Sequence, residues 1–219
     1  MSKSVVKINH DFLSGVHKGE SHTPNMYFHN NPMVRWIFWE RLNVIANYIN
    51  SNHSMKKGRC IDFGGGSGVF LPTLSLIFQE VILVDLDPSQ AEIIIDKFEL
   101  DNCKIVNGNV FDQSFDDVDC IIAADVLEHF ECTMDVVSHL KTWMNSSTFL
   151  ISSLPTENWF YVFLRKLFKQ KKPIDHYHDS SYVENCLTEA RLSCTKNRKT
   201  LPSPKPFDLF SIKEWKLLG

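Results

Sequence analysis

The chain has 219 residues, 43% of them hydrophobic and 12% aromatic, enough for one domain with a full core and an elaborated edge. No run approaches the roughly 18 apolar residues of a membrane span, and the amino terminus has no apolar signal region, so a cytoplasmic protein is expected. The net charge of −3 argues against bulk nucleic-acid binding, and six cysteines without a C-x-x-C pair suit buried thiols better than disulfides or metal ligands.

Along the chain, residues 1–30 are polar and irregular, with His10, His17, His22 and His29 scattered through them. Asn31-Pro32 opens a helix, with Asn31 as cap and Pro32 as first helical residue. Val34, Ile37, Phe38, Leu42, Ile45, Ala46 and Ile49 recur at helical spacing. After a polar linker at 51–58 the pattern alternates. Strands are predicted at 59–63, 80–85, 103–107, 118–124 and 148–153, and helices at 68–78, 88–100 and 132–145. Continuous apolar strands alternating with helices imply a parallel sheet covered on both faces. An aromatic helix follows at 157–172, with Trp159, Phe160, Tyr161 and Phe163 ahead of the basic Arg165, Lys166, Lys169, Lys171 and Lys172. A helix at 180–190 and strands near 191–200 and 207–217 complete the reading.

Charge is distributed unevenly. Residues 60–154 carry 3 Lys/Arg against 16 Asp/Glu, while residues 1–59 carry 8 against 3 and residues 155–206 carry 10 against 5. An acidic centre is thus flanked by basic segments, which either help the flanks dock or recognise an anionic substrate or an acidic surface.

The chemistry concentrates after the first predicted strand, in Ile61-Asp62-Phe63-Gly64-Gly65-Gly66-Ser67-Gly68, followed 21 residues after Gly64 by Asp85 at the end of Val81-Ile82-Leu83-Val84. Glycines let a ligand approach the backbone, and an acid after the second strand takes ribose hydroxyls. A dinucleotide fingerprint would need glycine where Val69 stands. Asp62 is also a poor neighbour for a pyrophosphate, since two like charges ~4 Å apart cost roughly 4 kcal/mol at an effective dielectric near 20. Beside the ammonium of a methionine moiety the same carboxylate is attractive.

Asp62–Gly68, Asp85, Gly108-Asn109 and Ala124-Asp125-Val126-Leu127-Glu128-His129 together resemble a class I S-adenosylmethionine-dependent methyltransferase, most closely over 58–155. The resemblance implies a doubly wound α/β fold with a mostly parallel, seven-stranded Rossmann-like sheet, helices on both faces and an antiparallel C-terminal edge hairpin. It implies an N-terminal lid segment and helix at 1–57, and a cofactor-binding domain at 58–219 with a substrate cap at 155–190. The cofactor would be S-adenosyl-L-methionine, held by Asp62, Gly64, Gly66, Gly68, Asp85, Leu86, Asn109, Val110, Ala124 and Asp125. Asn109 stands where the family more often has aspartate, and its carbonyl can accept the same hydrogen bond from adenine. Phe111 is a candidate wall for the base, and Asp87 is expected to cap the next helix.

For O-methylation a general base helps, because a hydroxyl is a poor nucleophile until its proton leaves. His129 and His176 are the candidates, with capping or loop anchoring as their structural alternatives. The segment from Ser152 to His178 resembles bacterial methyltransferases that often modify sugars, glycans or quinone precursors. Tyr27, His29 and His178 are expected to touch the substrate, a small molecule or saccharide. Tyr27, His29 and the Trp36/Trp39 pair would close as a lid, and no metal site is expected. The helix at 157–172 would be a lid over the pocket or a weak contact with a membrane surface. A silent S-adenosylmethionine-fold subunit that supports a partner enzyme, and a small-molecule N-methyltransferase, are the alternative readings.

Overall fold

The computed structural model describes residues 5–16, 25–167, 177–199 and 208–218. Seven strands form one sheet: β1 (Arg59–Phe63), β2 (Glu80–Asp85), β3 (Cys103–Asn107), β4 (Val118–Ala124), β5 (Phe149–Pro155), β6 (Leu192–Lys199) and β7 (Phe210–Leu217). Their order is β3-β2-β1-β4-β5-β7-β6. β1 to β5 are mutually parallel, and β7 lies antiparallel between β5 and β6. The doubly wound α/β sheet with its antiparallel edge is as expected.

The sheet is buried on both faces because its strands alternate between two apolar clusters. Cys60, Leu83, Cys120, Ile122 and Ile151 face one cluster, together with α2 (Pro32–Ser51), α3 (Leu71–Leu74) and α4 (Ser89–Phe98). Ile61, Ile82, Val84, Ile121 and Leu150 face the other, with α5 (Thr133–Thr142) and α7 (Ser180–Glu189). Ile45, Ala46 and Ile49 of α2 are fully buried against the sheet. Each such Ile stabilises the fold by roughly 1.5–3 kcal/mol. Asn31 caps α2 by accepting from Met33 N at 2.9 Å, with Pro32 in the first turn. The far end of α2 is tied to β7: Tyr48 Oη donates to the Glu214 carboxylate, and Asn52 Nδ2 donates to it at 2.8 Å. Burial pushes Glu214 up to about 7, although Lys216 pulls the other way.

Two local readings are corrected. Residues 1–30 are not uniformly irregular, because α1 (His10–Val16) is helical and buries Leu13. Asn9 Oδ1 caps it by accepting from Asp11 N and Phe12 N, at 2.8 and 3.2 Å. The helix expected at 68–78 shrinks to the single turn of α3. Gly68 has a left-handed φ of +74°, and Pro72 has no N–H to donate to its carbonyl, so regular helix cannot begin before Leu71. The aromatic helix is α6 (Trp159–Leu167), and the remainder of 157–172, from 168 onward, lies outside the described residues. Among the described residues no helix is long and apolar enough to cross a membrane.

Candidate active site at the carboxyl ends of the strands

The predicted cofactor residues gather at the carboxyl ends of β1, β2, β3 and β4, where open parallel sheets bind ligands. Gly64 N donates to Val84 O at 2.8 Å, extending the β1–β2 ladder by one residue. Gly64 then turns with φ +67°, and an added Cβ would stand 2.7 Å from Val126 Cβ. Only glycine lets the loop after β1 pass so close to the loop after β4. Gly66, at φ +53°, aims its N–H at Asp85 Oδ2, 2.8 Å away. Asp85 Oδ1 accepts from Asp87 N at 3.0 Å. Each carboxylate oxygen thus holds one backbone donor and keeps acceptor capacity for a ligand. Asp87 accepts from Ser89 Oγ at 2.8 Å just ahead of α4, but the cap position belongs to Pro88 and carries no side-chain hydrogen bond, so the expected Asp87 cap is not formed. Gly68 packs against Ala91 of α4.

Beyond β2 and β3 the exposed apolar side chains are Leu86, at 73%, and Phe111, at 46%. Between them Asn109 Oδ1 accepts from Phe111 N at 3.1 Å and so caps the 3-10 turn Val110–Asp112. The asparagine therefore shapes this loop as well as offering polar atoms at its rim. Val110 is buried in the core beneath.

Asp62, on β1, is 3% exposed, and its Oδ2 has no hydrogen-bond partner among the described residues. Burial, with the Asp85 charge adding to it, pushes its carboxyl up to about 7. Asp125 follows Ala124 at the end of β4 in a left-handed conformation, φ +54°. Aspartate tolerates this region better than most residues, but not without strain. Its backbone N donates to Ser153 O at 2.8 Å, and its carboxylate pairs with the Arg41 guanidinium. Arg41 comes from α2, is 3% exposed, and donates from Nη2 to Tyr27 Oη at 2.5 Å. Its guanidinium lies over the rings of Phe38 and Phe210, 5.4 and 4.9 Å from their centroids. Burial works against its charge, yet the Asp125 and Tyr27 partners outweigh it and hold the group protonated.

Arg41 is the site residue that the sequence reading missed. The signal was available: Ile37, Arg41 and Ile45 share one helical face, so an arginine sits at core-facing spacing, where it needs a buried partner.

The other candidates spread over the rim. Tyr27 is buried against Phe38 and Trp39, and Trp39 Nε1 donates to its carbonyl at 3.2 Å. Trp39 thus anchors the 25–28 turn from below, whereas Trp36 points outward at 42% exposure. His29 Nδ1 accepts from Asn31 N at 3.0 Å, beside the start of α2. His129 is half-buried at the end of the 3-10 turn Leu127–His129, with its N–H on Val126 O. His178 stacks on Tyr182 at 4.0 Å and reaches Glu131 O through Nε2 at 2.9 Å. His176 lies outside the described residues. A separate cleft of about 420 Å³ opens at the opposite ends of the strands, between Arg59, Glu80 and Asp119. There Arg59 and Lys104 both pair with Glu80 at 2.6 Å, so its charges satisfy one another.

A family model described as a methyltransferase domain matches residues 39–201. No curated protein matches the sequence significantly. Among solved structures, the chain is similar to the N-methyltransferase NodS from Bradyrhizobium japonicum in complex with S-adenosyl-L-homocysteine, with TM-score 0.68, 13% identity and coverage of 96% of this chain and 98% of that one. It is also similar to magnesium protoporphyrin IX methyltransferase from Synechocystis, with TM-score 0.66, 15% identity and coverage of 95% and 94%. A mitomycin 7-O-methyltransferase matches with TM-score 0.64 and 17% identity, over 85% of this chain and 55% of that one. The family match over most of the chain and the strand order agree: the chain belongs to the methyltransferase-domain family and has the fold of class I S-adenosylmethionine-dependent methyltransferases.

Proposed function

We propose that the chain methylates an oxygen of a small molecule or saccharide precursor. The observation that carries this reading is the roof over the site. Tyr27 is 6% exposed, its hydroxyl is held by Arg41, and its carbonyl is held by Trp39. Phe38 and Phe210 complete an aromatic cluster packed around Arg41, the partner of Asp125. An aromatic-rich surround of this kind suits a small acceptor with an apolar face. The family and these rings support the reading equally for O and N acceptors; half-buried His129, four residues after Asp125, favours oxygen because it offers a base.

The cofactor supplies an electrophilic methyl group on a sulfonium. Asp85 would hold its ribose, Leu86 and Phe111 would flank its base, and Asp62 would face its ammonium. Val110 and Ala124 shape the floor, and Gly64, Gly66 and Gly68 carry the loop. Orientation of the acceptor then supplies most of the acceleration, up to about 7–11 kcal/mol for well-aligned partners.

Release of S-adenosylhomocysteine should be followed with panels of phenols, sugars and amines. Hydroxyl acceptors are expected to turn over, and His129→Gln is expected to lower kcat by about 100- to 10,000-fold. Turnover of amines alone would replace the oxygen reading, and cofactor binding without turnover of any acceptor would favour a silent subunit.

Asp62 gives a pH signature. Its folded value of about 7 is above the ordinary carboxylate range, so folding favours the neutral form. Its contribution to stability is present at low pH and is lost as pH rises through about 7. A cation beside it reverses the preference, so cofactor affinity should rise with pH, approaching tenfold per unit well below that value and levelling above it. Calorimetric titrations across this range should show the slope in wild type and none in Asp62→Asn. Equal slopes in both would remove Asp62 from the ammonium site.

A further inference from the structure

We propose that Arg41 is the receptor for a carboxylate that a ligand carries into the active site. The guanidinium is already engaged on two sides, where Nη2 donates to Tyr27 Oη at 2.5 Å and the group pairs with the Asp125 carboxylate. The rings of Phe38 and Phe210 cover it, with centroids 5.4 and 4.9 Å away. Nε is nevertheless buried with no hydrogen-bond partner among the described residues. A guanidinium has five N–H donors in a fixed plane, and bracing Tyr27 and Asp125 does not use them all. A buried donor without a partner is costly, so this edge of Arg41 suits an acceptor that the chain itself does not supply.

The neighbouring polar atoms identify the ligand group. Asp62 Oδ2, Asp125 Oδ1 and Ser153 Oγ are also buried and unpartnered among the described residues. They stand near the carboxyl ends of β1, β4 and β5. The Tyr27 hydroxyl senses the cation and both acids: burial pushes its ionisation up, Arg41 pulls it down, and Asp125 and Asp62 push it up again. Two carboxylates thus call for a donor, and one guanidinium edge calls for an acceptor. The methionine moiety of S-adenosylmethionine carries an ammonium and a carboxylate on one carbon and answers both. An acidic acceptor would answer the second alone. Arginine suits this task because its fork binds a carboxylate in a fixed plane, where lysine offers only a point charge.

Electrostatics gives the expected effect a sign. Residues 60–154 carry 16 acids against 3 bases. An anion entering this centre is repelled unless a cation meets it directly. Removing the carboxylate from the cofactor should therefore strengthen binding if Arg41 serves only the fold, and weaken it if Arg41 receives the carboxylate. The inference rests on the methyltransferase reading of the site.

Calorimetric titration of the full chain with S-adenosylmethionine and with its decarboxylated form tests this. The wild type is expected to prefer the intact cofactor by about 10- to 100-fold, the effect of one hydrogen-bonded charge pair. Arg41→Met/Asp125→Asn should lose or reverse the preference, and Arg41→Lys should keep part of it. Methylthioadenosine, which has neither the ammonium nor the carboxylate, should bind all three proteins alike and so report that the fold persists. A second arm, on protein saturated with S-adenosylhomocysteine, compares salicylate with salicylamide. A preference for the acid there, lost in the double variant, would assign the carboxylate to the acceptor instead. Two results would overturn the proposal: no preference for a carboxylate in either arm, or a preference that the double variant keeps. A wild type that binds no sulfur nucleoside would overturn the cofactor reading together with it, whereas binding without a carboxylate preference overturns this proposal alone.

Discussion

Replacing Asp85 by alanine is expected to weaken S-adenosylmethionine binding by about 100- to 10,000-fold, the loss of two hydrogen bonds to a charged acceptor at roughly 1.5–3 kcal/mol each. The structure explains why the loss should fall at the high end. Asp85 is also the acceptor for Gly66 N and Asp87 N, so its removal frees the glycine loop as well as the ribose contact. Asp85→Asn keeps one acceptor oxygen and should fall between wild type and alanine. Calorimetric titration with S-adenosylmethionine, S-adenosylhomocysteine and NAD on all three proteins separates the possibilities. Selective binding of the sulfur nucleosides with graded loss is the expected pattern; an alanine variant within threefold of wild type would show that the ribose is held elsewhere.

Arg41→Met is expected to be the most destabilising single change at the site, by about 3–5 kcal/mol, because it strands a buried partner. Asp125 would keep its charge with no cation opposite, and Tyr27 would lose its donor. For a domain of this size that corresponds to a fall in Tm of about 10 °C. Lysine should rescue only part of the loss, since a point charge cannot bond Tyr27 and Asp125 while lying flat over Phe38 and Phe210. The double variant Arg41→Met/Asp125→Asn should cost less than the sum of its parts, because the second change removes the charge that the first leaves unpaired. Urea unfolding of the four proteins measures this coupling. Strict additivity would mean that the ion pair contributes nothing to the fold.

The sheet was readable because strand apolarity and glycine placement are local signals. All five parallel strands fall within about two residues of the sequence expectation at either end, the usual uncertainty of such boundaries. Asp85 was legible for the same reason, since it ends an apolar run at a fixed distance from a glycine cluster. Helix α3 was overestimated because the strand–helix alternation placed a helix over 68–78, while the left-handed Gly68 and the proline at 72 held the start back to Leu71. Helix α1 was missed because its anchor is tertiary: Leu13 is fully buried in the core, yet few of its neighbours in sequence are apolar. Arg41 was hidden for a third reason. Its partners Tyr27, Asp125 and Phe210 come from three separate segments, and no spacing rule joins them.

The way α2 is fastened also bears on how the molecule matures on the ribosome. Its far end is fixed through Tyr48 to Glu214, 166 residues later, and the aromatic ring beneath Arg41 belongs to Phe210. A nascent chain emerges at about 5–20 residues per second. The glycine cradle and its Asp85 anchor can therefore assemble while the ring beneath Arg41 is still missing. Pairings this distant in sequence form late, because the intervening loop must be closed before they return any stabilisation. The order of synthesis thus separates a nascent cofactor cradle from a finished methyl-transfer site, and β7 is the strand whose arrival joins them.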